Sequence, residues 1–167
     1  LDGVQIDFSE SVLLKAMVKY GLAIWHVKSL FEHLTSNAKT PFELEVSVDE
    51  TDQPTSHAEH LYIASELKRL GVKWVSLAPR YIGRFEKGVD YIGDLDKFEM
   101  DLKGHAQIAQ FLGPYKLSLH SGSDKFSIYP ILMAYTKGLV HLKTAGTSYL
   151  EALHTIADLN EDLIKEI

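Results

Sequence analysis

The sequence predicts an α/β fold, part of a TIM-type (β/α) barrel in which about four consecutive strand-plus-helix units follow a long helix. Two kinds of observation carry this: short segments alternate apolar and polar residues with a period of two, and between them lie stretches with apolar spacings of three and four, stopped by Gly or Pro. Strands alternating with helices imply parallel strands joined by right-handed crossovers, in an open sheet or a closed barrel. A closed eight-stranded barrel takes about 250 residues. The 167 residues hold four units, so a single domain over 1–167 is expected, incomplete unless missing sequence or a partner supplies the other barrel half.

The first helix is read from Leu13, Met17, Tyr20, Ile24, Val27, Phe31 and Leu34, which fall on one face. Asp7 and Glu10, three apart, offer a capping-box start. After Thr40-Pro41, the run Phe42-Glu43-Leu44-Glu45-Val46-Ser47-Val48-Asp49-Glu50 alternates as a strand does. Ser56 and Glu59 then have capping-box spacing for a helix carrying Leu61, Ala64, Leu67 and Leu70, with Gly71 placed for a left-handed cap. The same grammar recurs as a strand over 73–78, a long loop, and a helix from about Leu95 stopped by Gly113-Pro114. A strand over 115–120, a helix through about Tyr135 and a strand over 139–143 follow, and Ser148 with Glu151 caps the last clear helix.

Composition narrows the function classes. A formal charge of -6 with scattered Lys and Arg offers no basic stripe for a phosphate backbone, so nucleic acid is not an expected partner. No stretch approaches the roughly 20 apolar residues of a membrane span. The sequence as given also opens without the regions of a signal peptide, so a cytoplasmic protein is expected. Without Cys, a metal must be held by His, Asp or Glu.

In parallel α/β folds ligands bind at the carboxyl ends of the strands. Here those ends are polar: Asp49-Glu50-Thr51-Asp52, Pro79-Arg80-Tyr81, His120-Ser121-Gly122-Ser123-Asp124-Lys125 and His141-Leu142-Lys143-Thr144. Side chains two apart share a face, and the helix-facing set is apolar. Leu117 and Leu119 therefore send Ser118 and His120 inward, Val140 and Leu142 send His141 and Lys143 inward, and Val46 and Val48 oppose Ser47 and Asp49.

Two imidazoles and a carboxylate suit a divalent cation. Either His alone reads as a hydrogen-bonding group in a polar interior; both on the inward face at strand ends favour ligation. The expected ligands are Glu50, His120 and His141, with Asp49 and Lys143 as acid/base groups. The choice of Asp49 or Glu50 as ligand stays open, since parity favours Asp49 and position at the strand end favours Glu50. Arg80 and Arg84 offer guanidinium forks for a carboxylate, although Arg84 can equally pair with Glu86. Ser121 and Ser123 flank a glycine in a turn suited to an anion or hydroxyl; with Lys125 and the two arginines they make up the expected substrate-binding set. His57 and His60 are read as solvated, and the in-helix His26, His33, His105 and His154 as without chemistry.

The strand-end strings Val48–Asp52, Ser76–Arg80 continuing through Gly83–Asp94, His120–Ser127 and His141–Leu153 together resemble the bacterial tagaturonate epimerase family, over a stretch running from the first helix to the end. Members are longer, so the resemblance implies that this is a C-terminal portion. It also implies a metal-dependent isomerase of hexuronate catabolism that takes a small-molecule sugar acid, interconverting D-tagaturonate and D-fructuronate by inverting one hydroxyl-bearing carbon. That carbon is not next to the ketone, so deprotonating it gives no enolate and a retro-aldol route is expected. A metal-dependent aldolase or sugar isomerase on the same barrel, and a non-catalytic sugar-acid binding module, are the alternatives.

Overall fold

The computed structural model describes residues 5–144 and 148–166, of which 148–150 and 166 are described by backbone alone. The element order is α1 (Glu10–Asn37), β1 (Glu45–Ser47), α2 (His57–Arg69), β2 (Ser76–Ala78), α3 (Leu95–Leu112), β3 (Lys116–Leu119), α4 (Tyr129–Thr136), β4 (Val140–Leu142), α5 (Ser148–Leu159) and α6 (Glu161–Glu166). The four strands form one sheet in the order β1-β2-β3-β4, every pair parallel. This is the topology expected of consecutive βα units, each strand beside the last. Among the described residues no helix is long and apolar enough to cross a membrane.

Register carries the site. Glu45 pairs with Ser76, Ser76 with Lys116, and Ser118 with His141. The strands are shorter than the alternating runs, but ladder bonds continue beyond β1, from Val75 N to Leu44 O and from Val48 N to Ala78 O, both 2.9 Å. On the helix-facing side Leu77, Leu117 and Leu119 are buried against Ile63, Leu67, Phe98, Leu102, Ile128 and Leu132. Each such side chain contributes roughly 1.5–3 kcal/mol by leaving water.

Local signals explain the helix ends. Ser56 accepts from Glu59 N at 3.2 Å and Ser56 N donates to Glu59 at 2.7 Å, a complete capping box. Gly71 takes φ +74°, with Val72 N bonded to Leu67 O and Gly71 N to Lys68 O, the paired bonds of a left-handed helix stop. Four expectations are corrected in whole or in part. Asp7 does not cap α1: it accepts from Ser9 N at 3.0 Å, and Ser9 is the cap residue, without a side-chain cap bond. The α1 stripe is buried at Tyr20 and Ile24 while Met17 and Leu34 are exposed. The buried face of α2 includes Ala64 and Leu67 of the predicted stripe, joined by His60 and Ile63, while Leu61 and Leu70 are half-buried. Ser148 is already the first residue of α5, and its side chain lies outside the described residues.

Candidate active site

Glu45 is the centre of the inward face. Its Oε1 lies 2.8 Å from His120 Nε2, its Oε2 lies 2.5 Å from His141 Nδ1, and Ser76 Oγ donates to Oε2 at 2.6 Å. His120 meets a second carboxylate at its other nitrogen, Nδ1 to Asp49 Oδ2, 2.9 Å. Ser47 donates to the remaining oxygen of Asp49, and Ser118 Oγ sits 3.2 Å from His141 Nδ1. Parity builds this network: Glu45, Ser47 and Asp49 alternate with apolar residues on β1, as Ser118 and His120 do on β3. Ser76, a small residue between Glu45 and the third strand, leaves room for the longer side chain to cross.

Burial would raise the Glu45 carboxyl, but hydrogen bonds from Ser76, His120, His141 and Ser118 outweigh it and hold it at about 2. The carboxylate therefore stays ionised throughout the physiological range.

A cleft of about 360 Å³ opens beside this network, lined by Asp49, Arg80, Arg84, His120 and Ser121 together with Pro79, Tyr81, Gly83, Phe85, Glu86 and Leu119. Five of the residues singled out from the sequence thus share one cavity. Arg80 is half-buried, and its backbone is fixed by Thr55, through Arg80 N to Thr55 Oγ1 at 2.9 Å and Thr55 N to Arg80 O at 2.8 Å. Arg84 is exposed and pairs with Glu86 at 3.0 Å. Glu50 is exposed, outside the carboxylate–imidazole network, and Lys143 is exposed too; among the described residues its ammonium has no ion-pair partner.

Lys125 stands elsewhere. It is fully buried, and its ammonium donates to the carbonyls of Glu86, Val89 and Ser123 at 2.7, 2.5 and 3.0 Å. All three donors are occupied in pinning the 86–89 loop to the β3–α4 turn. Ser123 is buried in that turn, and Ser121 takes a positive φ of 50°. Residues 145–147, which follow the fourth strand end, lie outside the described residues.

A second polar cluster lies among the helices, contrary to the sequence reading. His60 is completely buried, not solvated, and so is His105. Their Nδ1 atoms are 2.8 Å apart, and His60 Nε2 meets the Tyr115 hydroxyl at 2.7 Å. Burial, then the charge of neighbouring His57, lowers His60 to about 3. His105 is held well below the ordinary histidine value by burial and then by His60, against the pull of Asp101. Among the described residues, His57, Asp101 and His105 form a group of three ligand-type side chains with donor atoms within 4.8 Å of one another, a possible metal-binding triad. The signal was present in the sequence: 60 joins 63, 64 and 67 on one stripe of α2, and 105 joins 98, 102 and 109 on α3.

The parallel sheet, its helix layer and a histidine–carboxylate network at the strand ends define an α/β protein built like a parallel-sheet enzyme. The tagaturonate epimerase family model matches residues 1–167, and the chain belongs to that family. It is 51% identical over 166 residues to the tagaturonate/fructuronate epimerase of Thermotoga maritima, covering 99% of this chain and 34% of that protein. It also superposes on the native crystal structure of the fructuronate-tagaturonate epimerase UxaE from Cohnella laeviribosi with a TM-score of 0.89 at 43% identity, over 96% of this chain and 33% of that one. On a glycerol complex of the same enzyme the TM-score is 0.90 at 42% identity, over 98% and 33%. The chain thus spans about a third of the length of the proteins it matches.

Proposed function

We propose that this chain is part of a cytoplasmic epimerase that interconverts D-tagaturonate and D-fructuronate, its strand-end network serving as the reacting centre. The observation that carries the reading is Glu45 bridging His120 and His141 beside a cleft that presents Arg80. The names of the matched proteins favour this reaction over the aldolase, isomerase and binding-module alternatives.

The sheet is read as an arc of a TIM-type barrel. Strands 4.7–4.9 Å apart would place β1 and β4 roughly 14 Å apart in a flat sheet, beyond what a Glu and a His side chain can bridge. Contact between Glu45 and His141 therefore supports a sheet curled toward its polar face, as in a barrel wall. The rest of the wall would come from the remainder of a longer polypeptide or from a second copy.

In the proposed retro-aldol route, Arg80 and Arg84 receive the substrate carboxylate and Ser121 a hydroxyl. Asp49 or Lys143 takes the proton from the hydroxyl of the carbon to be inverted. The bond from that carbon to the one beside the ketone breaks, and its electron pair moves onto the ketone oxygen, leaving an enediolate and an aldehyde. Re-addition to the other aldehyde face forms the bond again, and the proton returns to the oxygen.

The donors at the strand ends fit a divalent cation: one ionised carboxylate stands between two imidazoles, and Asp49 orients His120 from its far nitrogen as partners of metal-ligating histidines do. Glu45, His120 and His141 would hold it, Glu45 filling the place expected of Glu50. Such a cation would polarise the substrate carbonyl. NMR of D-tagaturonate with the full-length protein, with and without added divalent metal, tests the reading: fructuronate signals should grow in the presence of metal, and an unchanged spectrum under both conditions overturns it.

A further inference from the structure

We propose that His57, Asp101 and His105 form a second divalent-cation site, of the zinc class, that clamps the start of α2 to the middle of α3 and is separate from the strand-end network. Three observations carry it.

The first is geometry. Asp101 Oδ1 lies 3.5 Å from His57 Nε2 and 3.6 Å from His105 Nε2. Metal–ligand bonds of about 2.0–2.1 Å set neighbouring ligands about 3.4 Å apart in a tetrahedron, so both separations match those of ligands sharing a cation. Asp101 and His105 are one helical turn apart, which puts both on the face of α3 that meets α2.

The second is an unmet demand. His105 is completely buried, yet its Nε2 has no hydrogen-bond partner and stands 3.6 Å from the Asp101 carboxylate. A buried polar atom left unpaired is destabilising. Behind it the His105 Nδ1–His60 Nδ1 contact and the His60 Nε2–Tyr115 hydroxyl contact form a chain that sets the tautomer. When His105 donates through Nδ1 and His60 through Nε2, His105 Nε2 presents a bare lone pair to the site, the outer support usual for a ligating histidine.

The third is room made for a ligand. A Cβ at Gly104 would come within 2.3 Å of both Cε1 and Nε2 of His57, so the His57 ring lies directly over a position that has no side chain. His57 Nε2 now donates to Asp101 O at 2.9 Å; binding a cation there moves that proton to Nδ1. His57 also lines a cleft of about 640 Å³ between α1 and α2, so one member of the triad borders open space.

The test uses the full-length protein stripped with a chelator and titrated with Zn(II), and with Co(II) as a spectroscopic probe. A Glu45→Gln, His141→Ala background removes two strand-end donors and separates the two sites. In that background one equivalent of Zn(II) should still bind and raise the Tm, and Co(II) should give an intense tetrahedral-type visible spectrum. Adding His57→Ala or Gly104→Ala should weaken binding by more than about tenfold and abolish the spectrum. Gly104→Ala keeps every ligand and only displaces the His57 ring, while His57 is half-exposed, so neither change removes core packing. Equal Zn(II) stoichiometry and Tm increase with and without these substitutions, or no binding in the background, overturns the site. Because the readouts are metal content, spectrum and Tm, loss of epimerase activity in the background leaves this test intact.

Discussion

Glu45 on the first strand and His141 on the fourth touch, Oε2 to Nδ1 at 2.5 Å, although 96 residues separate them in sequence. Together with the His120 contact at 2.8 Å, this makes one carboxylate the link between two imidazoles. Glu45→Gln should therefore lower turnover of the full-length enzyme by about a hundredfold or more, the scale of a positioned polar group in catalysis, while the variant remains folded by circular dichroism. Turnover within a fewfold of the parent would remove Glu45 from the reacting centre.

The same carboxylate gives a pH signature. Its folded pKa of about 2 is below the ordinary 4.5, so the unfolded chain binds the proton more readily. The stabilisation is fully present above pH 4.5 and lost as pH falls through about 2. The stability gap between parent and Glu45→Gln, measured by denaturant unfolding, should narrow between those pH values. A gap that stays constant across that window would show that the carboxylate is not held by its hydrogen bonds.

Much of the frame was legible because parallel α/β folds translate periodicity into position. The strand order, the capping box at Ser56 and the inward parity of His120 and His141 follow from spacing alone. Glu45 obeys the same parity two residues before Ser47, but attention to the carboxyl ends of strands passes over it. Only the curl of the sheet, which no local pattern encodes, lets a residue at the start of β1 reach β4. His60 and His105 were missed for a different reason: a polar residue on an apolar stripe reads as an interruption until a partner on another helix is seen. Lys125 shows the reverse, since a lysine in a polar strand-end loop looks available to a substrate until three carbonyls are found around its ammonium.

That arrangement predicts a structural phenotype for Lys125→Met. Three carbonyls lose the buried ammonium that holds them together, so stability should fall by on the order of 2–4 kcal/mol, read as a lower Tm, whereas KM of folded enzyme measured at low temperature should change little. A variant of normal Tm with a strongly raised KM would return Lys125 to the substrate-binding set.

Arg80 and Arg84 should separate in the same assay. Arg80 is half-buried on a backbone tied to Thr55, and among the described residues its guanidinium has no ion-pair partner; Arg84 is exposed and already paired with Glu86. Arg80→Ala should raise KM for the uronate by about tenfold or more, in line with loss of a charge-assisted contact, and Arg84→Ala by less. The reverse order would place the substrate carboxylate at the outer rim of the cleft.

Lys143 is the remaining proton-transfer candidate, and its position makes the test clean. It follows β4 directly, two residues beyond His141 and on the same parity. Its backbone is anchored, with Lys143 N donating to Leu119 O and Gly122 N to Lys143 O, both at 3.0 Å, while the side chain is exposed and makes no ion pair among the described residues. Replacing it therefore removes no packing and strands no charge. Lys143→Met in the full-length enzyme should leave Tm and metal content unchanged and lower turnover by about a hundredfold to ten-thousandfold. His120→Ala and His141→Ala should lose the strand-end equivalent of metal and activity together, because each would open the same proposed coordination sphere. Near-normal turnover in Lys143→Met would pass the proton transfer to Asp49, whose carboxylate faces the same cleft through His120, and Asp49→Asn would then be the variant that carries the loss.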